Sequence, residues 1–524
     1  MISVLHSRTS KSAGEYVLAA LRRSVSPAAA QAISPGMLRN VDAAIVVAVD
    51  VPDAWGDALV EWLSKPRNKL IVFGRLPTAL AAYLGCREGA WPQAFQEAAR
   101  SPSAASRETA QSRAVVRYTG RAEHLGGRMW VRPFERFDFT DEWNNLGFGA
   151  IRADGSIWAV SAPIDAPEDT RLASVTIDDE RVFTYAALWE RDAASVLWFN
   201  RPVGPIDSFE WRLVENFVSS HRSDRTVCQP VLSEIPWGYD AAITSRLDCD
   251  EDVESARPLW DAYRRLGIPF SLAVHTTNLG SDVNHGILRE LAADPHAAIL
   301  SHTATHAPNW GGSYEAALLE GRESMGLIER VTQEAVRYAV SPFHQSPAYA
   351  LEALSDAGYD GCIGGIIRND PEFLIARGGA LAGLPAGFVG HSQQTMLHGD
   401  CMLASGDPLA VFKQAFDLAF ETRTLFGYLD HPFSERYQYG WPTEAGRIDA
   451  HEKFVAYMSA CAGNPLFMNE ETALDFLRAR SFASVVADTD GLRVQLSPTV
   501  TTPFAMTVEW RGESMQVTNG MRLT

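Results

Sequence analysis

The sequence predicts an α/β protein in three parts: an N-terminal α/β domain on a parallel sheet, a central barrel-like domain, and a small C-terminal β unit. Two long stretches alternate strand-like and helix-like runs, an order typical of parallel sheets covered by helices. The C-terminal stretch instead alternates apolar and polar residues with period two, as antiparallel strands do. The predicted limits of the three parts are residues 1–225, 236–475 and 480–524.

The first part opens with alternating strands and helices. Strands are predicted at residues 2–5, 43–49 and 70–73, and helices at 13–23, 55–63 and 78–83. A Ser- and Ala-rich stretch at 99–113 lacks periodic apolar positions and predicts a surface loop. The elements predicted after this loop are strands at 114–118, 156–160, 181–185 and 195–200 and a helix at 209–218.

The central part resumes the alternation. Its first predicted elements are strands at 240–246, 270–274 and 297–300 and helices at 253–266 and 286–292. Consecutive parallel strands joined by helices can form a barrel, in which catalytic groups gather at the carboxyl ends of the strands. In the C-terminal part, strands are predicted at 491–496 and 504–510.

Composition excludes several classes of partner. The 524 residues are 46% hydrophobic with a net charge of −18 and no block of Lys or Arg, which argues against nucleic acid and anionic membranes as partners. No apolar run approaches the ~18 residues of a membrane span, so no membrane insertion is expected. The apolar start is too short for a signal sequence, and we expect a cytoplasmic protein. The six cysteines lack Cys-x-x-Cys spacing, which indicates neither a disulfide framework nor a zinc ribbon.

Two short motifs place metal-ligand side chains in the central part. The segment RLDCDED spans residues 246–252, and SHTATH spans residues 301–306. Asp250, His302 and His306 would offer a divalent cation one carboxylate and two imidazoles, with a position open for water. Asp248 lies two residues before Asp250 and shares its strand face, so it would remain available as a base.

Each motif also has a structural explanation. An isolated Asp-x-Asp can cap a helix, and Asp252 precedes the helix predicted from Val253, although Asp252 also competes for either aspartate role. Two histidines four residues apart lie on one helical face and can form a surface pair. The joint occurrence of the motifs at strand ends favours the metal site, as does the concentration of ten of the thirteen histidines between positions 275 and 451.

Four motifs in a fixed order resemble those of NodB-type polysaccharide deacetylases of carbohydrate esterase family four. They read RLDCDED, SHTATH, SPFHQSP and YLDHPFSERYQYGW, within residues 236–475. The resemblance implies a NodB-like distorted (β/α) barrel, a carbohydrate substrate, and a divalent metal, with Zn²⁺ first and Co, Ni or Mn as alternatives. The implied reaction is hydrolysis of the acetamide of an N-acetylated amino sugar. The Asp-x-Asp form of the first motif is closer to the branch of this family that contains the bacterial lipid-A-modifying deformylases. An N-formyl group is therefore an alternative to the N-acetyl group as the part that is removed.

The resemblance implies roles for residues beyond the metal ligands. His431 matches the family's final histidine, the general acid that protonates the leaving amine. A backbone N–H near Phe343 or His344 matches the oxyanion donor of the third motif.

The third motif departs from the family pattern. Ser341 stands where the family has an arginine that orients the catalytic aspartate, and Arg246 or Arg377 could substitute. The segment IARGGALAGLPAGF is a positional candidate for the fourth motif of the family.

Several aromatic residues are candidates for stacking on a sugar ring. They are Trp310, Tyr437, Tyr439 and Trp441. Each could equally be a core residue. His391 and His398 lie on a predicted loop over the mouth of the barrel, where they would contact substrate or nothing.

The first part resembles the end of a glutamine-amidotransferase-like or trehalose-utilisation-like α/β domain, in RVFTYAALWE and EWRLVENFVSSH. Neither Cys86 nor Cys228 lies in a glycine-flanked strand-to-helix turn, so the nucleophile is missing. A structural or glycan-presenting domain is the preferred interpretation.

Two other functions remain open for the whole chain. The missing third-motif arginine is compatible with a glycan-binding pseudoenzyme, and the same motifs permit a metal-dependent amide hydrolase on a substrate that is not a polysaccharide. The sequence specifies neither the amino sugar nor the oligomeric state.

Overall fold

The computed structural model describes residues 1–41, 44–100, 114–133, 151–192, 194–364, 376–488 and 491–523. Most of the loop predicted at 99–113 lies outside these residues. The strands up to residue 199 are β1 (Ile2–His6), β2 (Ala30–Ile33), β3 (Ile45–Val49), β4 (Asn68–Phe73), β5 (Arg87–Glu88), β6 (Ala114–Tyr118), β7 (Val131–Pro133), β8 (Ile164–Asp165), β9 (Arg171–Ile177), β10 (Glu180–Arg191) and β11 (Ala194–Phe199). The helices in this region are α1 (Lys11–Val25), α2 (Gly56–Leu63), α3 (Thr78–Leu84), α4 (Gln93–Arg100) and α5 (Ser208–Ser219).

The first sheet has nine strands in the order β2-β1-β3-β4-β11-β10-β9-β6-β7. The neighbours from β2 to β11 are parallel, as predicted for the first 82 residues. The remaining neighbours are antiparallel, so the sheet is mixed. Asp178 and Asp179, both with positive φ, form the two-residue turn between β9 and β10, which is the geometry that tight antiparallel hairpins favour.

The strand predicted at 156–160 is wrong. Apart from a single bridge between Arg152 and Ala159, this segment does not pair as a strand. Asp154 accepts hydrogen bonds from the Ser156 N–H at 3.0 Å and from the Ser156 hydroxyl at 2.6 Å. An aspartate that bonds the backbone two residues on stabilises a turn, and here the turn chemistry outweighs the strand propensity of the apolar residues.

The second sheet begins after residue 240. The strands from residue 231 to 468 are β12 (Val231–Leu232), β13 (Ala241–Cys249), β14 (Phe270–Val274), β15 (Ala297–Ser301), β16 (Tyr338–Val340), β17 (Gly361–Gly364), β18 (Gly379–Ala380), β19 (Val389–Ser392), β20 (Thr395–Met396), β21 (Phe426–Asp430) and β22 (Pro465–Met468). The α-helices are α6 (Arg257–Leu266), α7 (His285–Ala292), α8 (Tyr314–Thr332), α9 (Ala348–Ala357), α10 (Ala410–Thr422), α11 (Glu444–Ala462) and α12 (Glu470–Ser481).

This sheet is curled and almost entirely parallel, and its described strands do not close into a barrel. The order is β18-β19-β17-β16-β15-β14-β13-β21-β20, with β22 beside β13. Only Gln393 and Gln394 separate β19 from β20, which lie toward opposite edges. The Gln393 N–H donates to Gly364 O at 3.4 Å and the Gln394 N–H to Gly427 O at 2.9 Å. The predicted distorted barrel is thus observed as a curled sheet whose edges are bridged by two residues.

The C-terminal strands form two small antiparallel sheets. They are β23 (Ser484–Asp488), β24 (Gly491–Gln495), β25 (Thr507–Trp510), β26 (Glu513–Gln516) and β27 (Arg522–Leu523). One sheet has the order β23-β24-β27 and the other β12-β25-β26. Because β12 belongs to the second of these sheets, the end of the chain is paired with the segment that joins the two large sheets.

The apolar core is continuous between the two large sheets. One buried cluster includes Val4 and Phe217 from the first region and Phe416 and Phe454 from the second. Within the described residues, no helix combines the length and apolar character that crossing a bilayer requires. The continuous core fixes the second sheet, and the polar residues at its strand ends, against the first.

Candidate active site

The site lies at the carboxyl ends of three strands of the second sheet. Asp248 is the penultimate residue of β13, and Asp250 follows that strand. His302 follows β15, and His431 follows β21. β21 pairs directly with β13, and only β14 separates β13 from β15. Parallel strands bring their carboxyl ends to the same edge of a sheet, which explains why residues so distant in sequence meet here.

The three predicted metal ligands converge. Asp250 Oδ1 lies 3.4 Å from His302 Nε2 and 3.4 Å from His306 Nε2, and the two Nε2 atoms are 3.1 Å apart. Ligands about 2.0–2.1 Å from a tetrahedral zinc ion are roughly 3.3 Å from one another. The Asp250 Oδ1 atom is buried and has no hydrogen-bond partner among the described residues. The donor types and their spacing therefore fit a divalent cation.

A turn holds the two histidines. Their four-residue spacing had suggested a helix. Thr303 and His306 both have positive φ, of 69° and 53°, and the segment is not helical. Glu320 on α8 holds the turn, because its Oε2 accepts from the N–H groups of Ala304 at 2.9 Å and Thr305 at 2.8 Å.

Neighbouring contacts orient the imidazoles. His302 Nδ1 lies 3.1 Å from the carbonyl oxygen of Val340, so a proton on Nδ1 leaves the lone pair of Nε2 directed at the site. Burial, reinforced by His302, lowers the pKa of His306 to about 4. Burial alone would raise the pKa of Asp250, but the close approach of His302 and the other nearby histidines brings that pKa below its usual value. An ionised carboxylate beside a neutral imidazole is the form that binds a cation.

Arg246 is the partner of the predicted catalytic base. Its Nε donates to Asp248 Oδ1 at 2.6 Å and its Nη2 to Asp248 Oδ2 at 3.1 Å, and its Nη1 donates to Gln393 Oε1. All three side chains are buried. Burial acts to raise the pKa of Asp248, but the Arg246 guanidinium and His302 outweigh it and hold that pKa well below its usual value. Asp248 is therefore ionised and fixed in orientation.

Arg377, the other candidate for this task, lies elsewhere. Its guanidinium is buried between the two large sheets and donates to Glu215 at 3.0 and 2.5 Å, with Glu234 at 3.7 Å. The prediction that Arg377 could orient Asp248 or contribute to the substrate site was thus wrong, because its carboxylate partners on α5 and beside β12 hold it away from Asp248. The fourth-motif candidate that contains Arg377 begins at residue 375, outside the described residues.

His431 faces the predicted metal ligands with one nitrogen and a second histidine with the other. His431 Nε2 is 3.8 Å from Asp250 Oδ2, and His431 Nδ1 is 2.9 Å from His398 Nε2. The ring of Tyr439 stacks on His431 with centroids 4.1 Å apart and an angle of 17° between the planes. His398 was predicted only to lie over the mouth and contact substrate or nothing, and the structure places it beside His431.

The third motif lies beside the ligands. The Phe343 ring is 4.5 Å from the His306 ring, and both Phe343 and His344 have positive φ. The His344 N–H donates to Ser341 O at 3.3 Å, which removes it as an oxyanion donor. The His344 side chain is buried, and burial lowers its pKa to about 3. Of the two predicted N–H donors, that of Phe343 remains.

Trp310 is a core residue and not a sugar platform. Its side chain is 0% exposed within the apolar cluster around α8 and α9, and its Nε1 donates to Gln345 O at 3.1 Å. Its stacking role was therefore wrong, because left-handed φ values at Asn309 and Trp310 turn the indole inward. The aromatic residues at the site mouth are Tyr437 and Tyr439, which line the cavity together with Asp248 and Asp250.

Glu251 also lines the cavity in which Asp248 lies. Its Oε1 is 3.1 Å from Nη1 of the exposed Arg436. Asp252, the competitor for the aspartate roles, instead caps the turn before α6, where its side chain accepts from the Glu254 N–H at 3.3 Å.

The sequence analysis did not indicate that Gln393 and Glu320 support the site, and it did not link His398 to His431. Each acts through a contact between segments far apart in the chain, so spacing carried no signal for Gln393 or Glu320. For His398, the concentration of histidines in this half of the chain was the one available clue.

Comparison with known proteins gives matches of structure alone. No family model matches the chain, and no curated protein matches it in sequence. A Mycobacterium smegmatis protein described as a polysaccharide deacetylase matches with a TM-score of 0.37 and 14% identity, over 49% of this chain and 97% of its own. PuuE allantoinase matches with a TM-score of 0.37 and 11% identity, over 46% and 92%. The Xyl-CE4 domain of a xylanase from the hindgut metagenome of Trinervitermes trinervoides matches with a TM-score of 0.31 and 12% identity, over 45% and 90%. Each of these three matches covers about half of this chain.

Proposed function

We propose that the chain is a metal-dependent N-deacetylase that hydrolyses the acetamide of an N-acetylated amino sugar. One observation supports this above the others: Asp250, His302 and His306 present three ligand atoms 3.1 to 3.4 Å apart at the mouth of the second sheet, beside a buried and ionised Asp248. Such a set provides for a cation and a base in one place, which hydrolysis of an unactivated amide requires.

A divalent cation bound by the three ligands would act as a Lewis acid on the acyl oxygen and lower the pKa of water towards ~7. Zn²⁺ suits one carboxylate and two imidazoles best, and Co, Ni and Mn are alternatives. The remaining chemistry belongs to the side chains of this chain.

Asp248 accepts the proton of the attacking water in this proposal. As the new C–O bond forms at the acyl carbon, one proton of that water moves to an Asp248 oxygen. Arg246 keeps both oxygens of Asp248 in place through its two hydrogen bonds and favours the ionised form that can accept. The arginine of the family's third motif is thereby replaced by one from β13.

His431 and Phe343 act on the other side of the tetrahedral centre. The Phe343 N–H is the proposed donor to the developing oxyanion, a contribution worth typically ~3 to 4 kcal/mol. His431 donates a proton from Nε2 to the amide nitrogen as the C–N bond breaks, so that acetate and a free amine leave. The orientation of Nε2 toward Asp250 supports this assignment.

The substrate assignment depends on Tyr437 and Tyr439. A sugar ring offers an apolar face, and aromatic rings at the cavity mouth are suited to it. Trp310 contributes nothing here because it is buried.

A second candidate is a metal-dependent hydrolase of small acylated or formylated amines that are not part of a polysaccharide. The converging ligand atoms and the neighbouring Asp248 support it equally, because the same groups serve hydrolysis of any unactivated amide. A glycan-binding pseudoenzyme has less support. It was considered because the third motif lacks its arginine, and in this proposal Arg246 takes over the task of orienting Asp248.

Metal analysis combined with an acetate-release screen tests the proposal. Purified full-length protein should carry about one divalent metal per chain after dialysis and release acetate from N-acetylglucosamine oligomers. Release from small acylated amines and not from the oligomers would favour the second candidate. Metal-free protein that cannot be reloaded, without turnover of either substrate, would refute both enzyme functions.

A further inference from the structure

Two buried histidines lie side by side behind the candidate active site. His398 Nε2 and His431 Nδ1 are 2.9 Å apart, and the two ring planes meet at 56°. Both side chains are less than a tenth exposed. A nitrogen-to-nitrogen distance of this size between imidazoles requires that one nitrogen carries a proton and the other a lone pair.

A second metal ion is the first explanation to consider, because His398, Asp430 and His431 have ligand atoms within 4.8 Å of one another. The contacts of Asp430 argue against it. Asp430 Oδ2 already accepts from His451 Nε2 at 2.9 Å and from Arg447 Nη1 at 3.3 Å. The Arg447 guanidinium supplies the positive charge that a cation would bring, and a second cation beside it would be repelled.

The other oxygen of Asp430 also has partners other than the imidazole of His431. Its Oδ1 accepts from the backbone N–H of His431 at 2.7 Å and lies 3.5 Å from Trp441 Nε1. Its nearest approach to His398 Nε2 is 3.6 Å, beyond a good hydrogen bond. The imidazole of His398 is thus within hydrogen-bond distance of His431 Nδ1, at 2.9 Å.

We propose that His398 is a positioning residue for the reaction, which holds His431 through Nδ1 so that His431 Nε2 points at the leaving amine. This inference rests on the proposed amide hydrolysis and adds a residue to it. In this role His398 acts through His431 and not on the substrate itself.

An imidazole suits this task differently from a carboxylate. When His431 carries protons on both nitrogens, a neutral His398 accepts at its Nε2 lone pair. When His431 carries a proton on Nε2 alone, the other tautomer of His398 donates its Nε2–H to His431 Nδ1. A carboxylate can only accept. Burial lowers the pKa of His398 to about 3, which keeps it neutral and able to take either role.

The surrounding loops hold His398 in place. The Tyr439 ring lies 4.9 Å from His398 and 4.1 Å from His431, covering both. The Gly399 N–H donates to Tyr439 O at 2.9 Å. A Cβ on Gly399 would come within 2.3 Å of the Gly440 carbonyl, so only glycine allows this close crossing of the two loops. The pairing of His398 with His431 thus depends on a built contact between loops.

Two substitutions at His398 separate positioning from mere packing. His398→Leu fills the space and removes both nitrogens, whereas His398→Gln keeps one donor and one acceptor on a neutral side chain. We expect kcat for acetate release to fall about 100-fold in His398→Leu with KM and metal content unchanged. We expect His398→Gln to recover kcat to within about tenfold of the parent. His221→Leu, which removes a buried histidine from the first region, is the matched control and should leave kcat unchanged.

A second readout does not depend on turnover. In protein with ¹⁵N-labelled histidine that also carries Asp248→Asn, the Nδ1 resonance of His431 should move when His398 becomes Leu and move less when it becomes Gln. Unchanged kcat in His398→Leu, an unmoved resonance, or the loss of one metal equivalent would each overturn the inference. If the parent protein releases no acetate from any substrate, the proposed function fails, and the resonance still decides whether His398 holds His431.

Discussion

Arg246 binds Asp248 through two hydrogen bonds, of 2.6 and 3.1 Å, although a single residue separates them on β13. Side chains at i and i+2 of a strand share one face, so the pair can form without any contribution from another segment. Asp250 follows two residues further, just after the strand, so the guanidinium, the proposed base and a proposed metal ligand come in succession along one segment. In the proposed mechanism, the orienting charge comes from this strand and not from position 341.

Arg246→Lys should lower kcat about tenfold or more without removing the metal. Lysine keeps the charge but presents a single ammonium, which cannot hold both oxygens of Asp248 at once. The measurement is kcat beside the metal content of the same sample. Arg257→Lys, at a partly exposed ion pair with Glu254, is the matched exchange and should leave kcat unchanged. Equal kcat in parent and Arg246→Lys would contradict a positioning role for the two hydrogen bonds.

The two aspartates of the first motif should respond differently to substitution. Asp248→Asn is expected to keep the metal and lose turnover, because Asp248 lies outside the set of converging ligand atoms. Asp250→Asn and His302→Ala should lose both, since each removes one of three ligands. Elemental analysis after dialysis and acetate release on the same preparations give the answer. Loss of metal in Asp248→Asn would mean that the division of labour between the aspartates is wrong.

The convergence of the candidate site residues could be predicted from sequence, because these residues lie at or after the ends of strands that meet at one edge of the sheet. Asp248, Asp250, His302 and His306 each come at the end of an apolar run, and parallel pairing does the rest. The local shape between His302 and His306 could not be predicted, since four-residue spacing fits a helix as well as the observed turn. Glu320 on α8 stabilises the turn over the helix, because its carboxylate accepts hydrogen bonds from two backbone N–H groups of the turn.

The remaining supports depend on packing between distant segments. Arg246 and Arg377 were equal candidates in the sequence, and only the position of Glu215 shows that Arg377 has another task. Trp310 was equally open, because an indole suits a sugar ring and an apolar core alike. His398 acquires its role from a crossing of two loops at Gly399, which no spacing rule describes.

Trp310→Ala and Tyr439→Ala should distinguish a core residue from a residue of the candidate site. Trp310 is 0% exposed, so its removal leaves a large cavity and should reduce the free energy of unfolding by about 3–5 kcal/mol. The folded fraction should retain its kcat. Tyr439→Ala removes a half-buried ring that covers His431, so it should alter kcat or KM with a smaller loss of stability. Chemical denaturation and steady-state kinetics check both; a Trp310→Ala protein of unchanged stability and raised KM would restore the sugar-platform interpretation.

Glu470→Gln should stabilise the protein at alkaline pH and not at pH 5. Both carboxyl oxygens of Glu470 are buried without a hydrogen-bond partner among the described residues, and burial raises its pKa to about 7 despite the nearby Arg246. Between its ordinary value and pH 7 the folded state holds a proton that the unfolded chain releases, so stability falls as pH rises through this window. The full difference is on the order of 3 kcal/mol.

Melting temperatures of parent and Glu470→Gln at pH 5 and pH 8.5 measure this effect. The melting temperature of the variant should exceed that of the parent by an amount that increases as the pH rises. Glu61→Gln, on the exposed side of α2, should show no such change. A gap of the same size at both pH values would show that Glu470 is ionised throughout.

The buried bond between Arg377 and Glu215 determines how the chain can be divided. A fragment that begins near residue 236 would lose Glu215, so the Arg377 guanidinium would keep its place in the interior without its closest anion. An orphaned interior charge of this kind costs about 3–5 kcal/mol, a large share of the stability of an ordinary domain. The region that carries the candidate site is therefore expected to fold and to be expressed together with its amino-terminal neighbour, as a single cooperative unit.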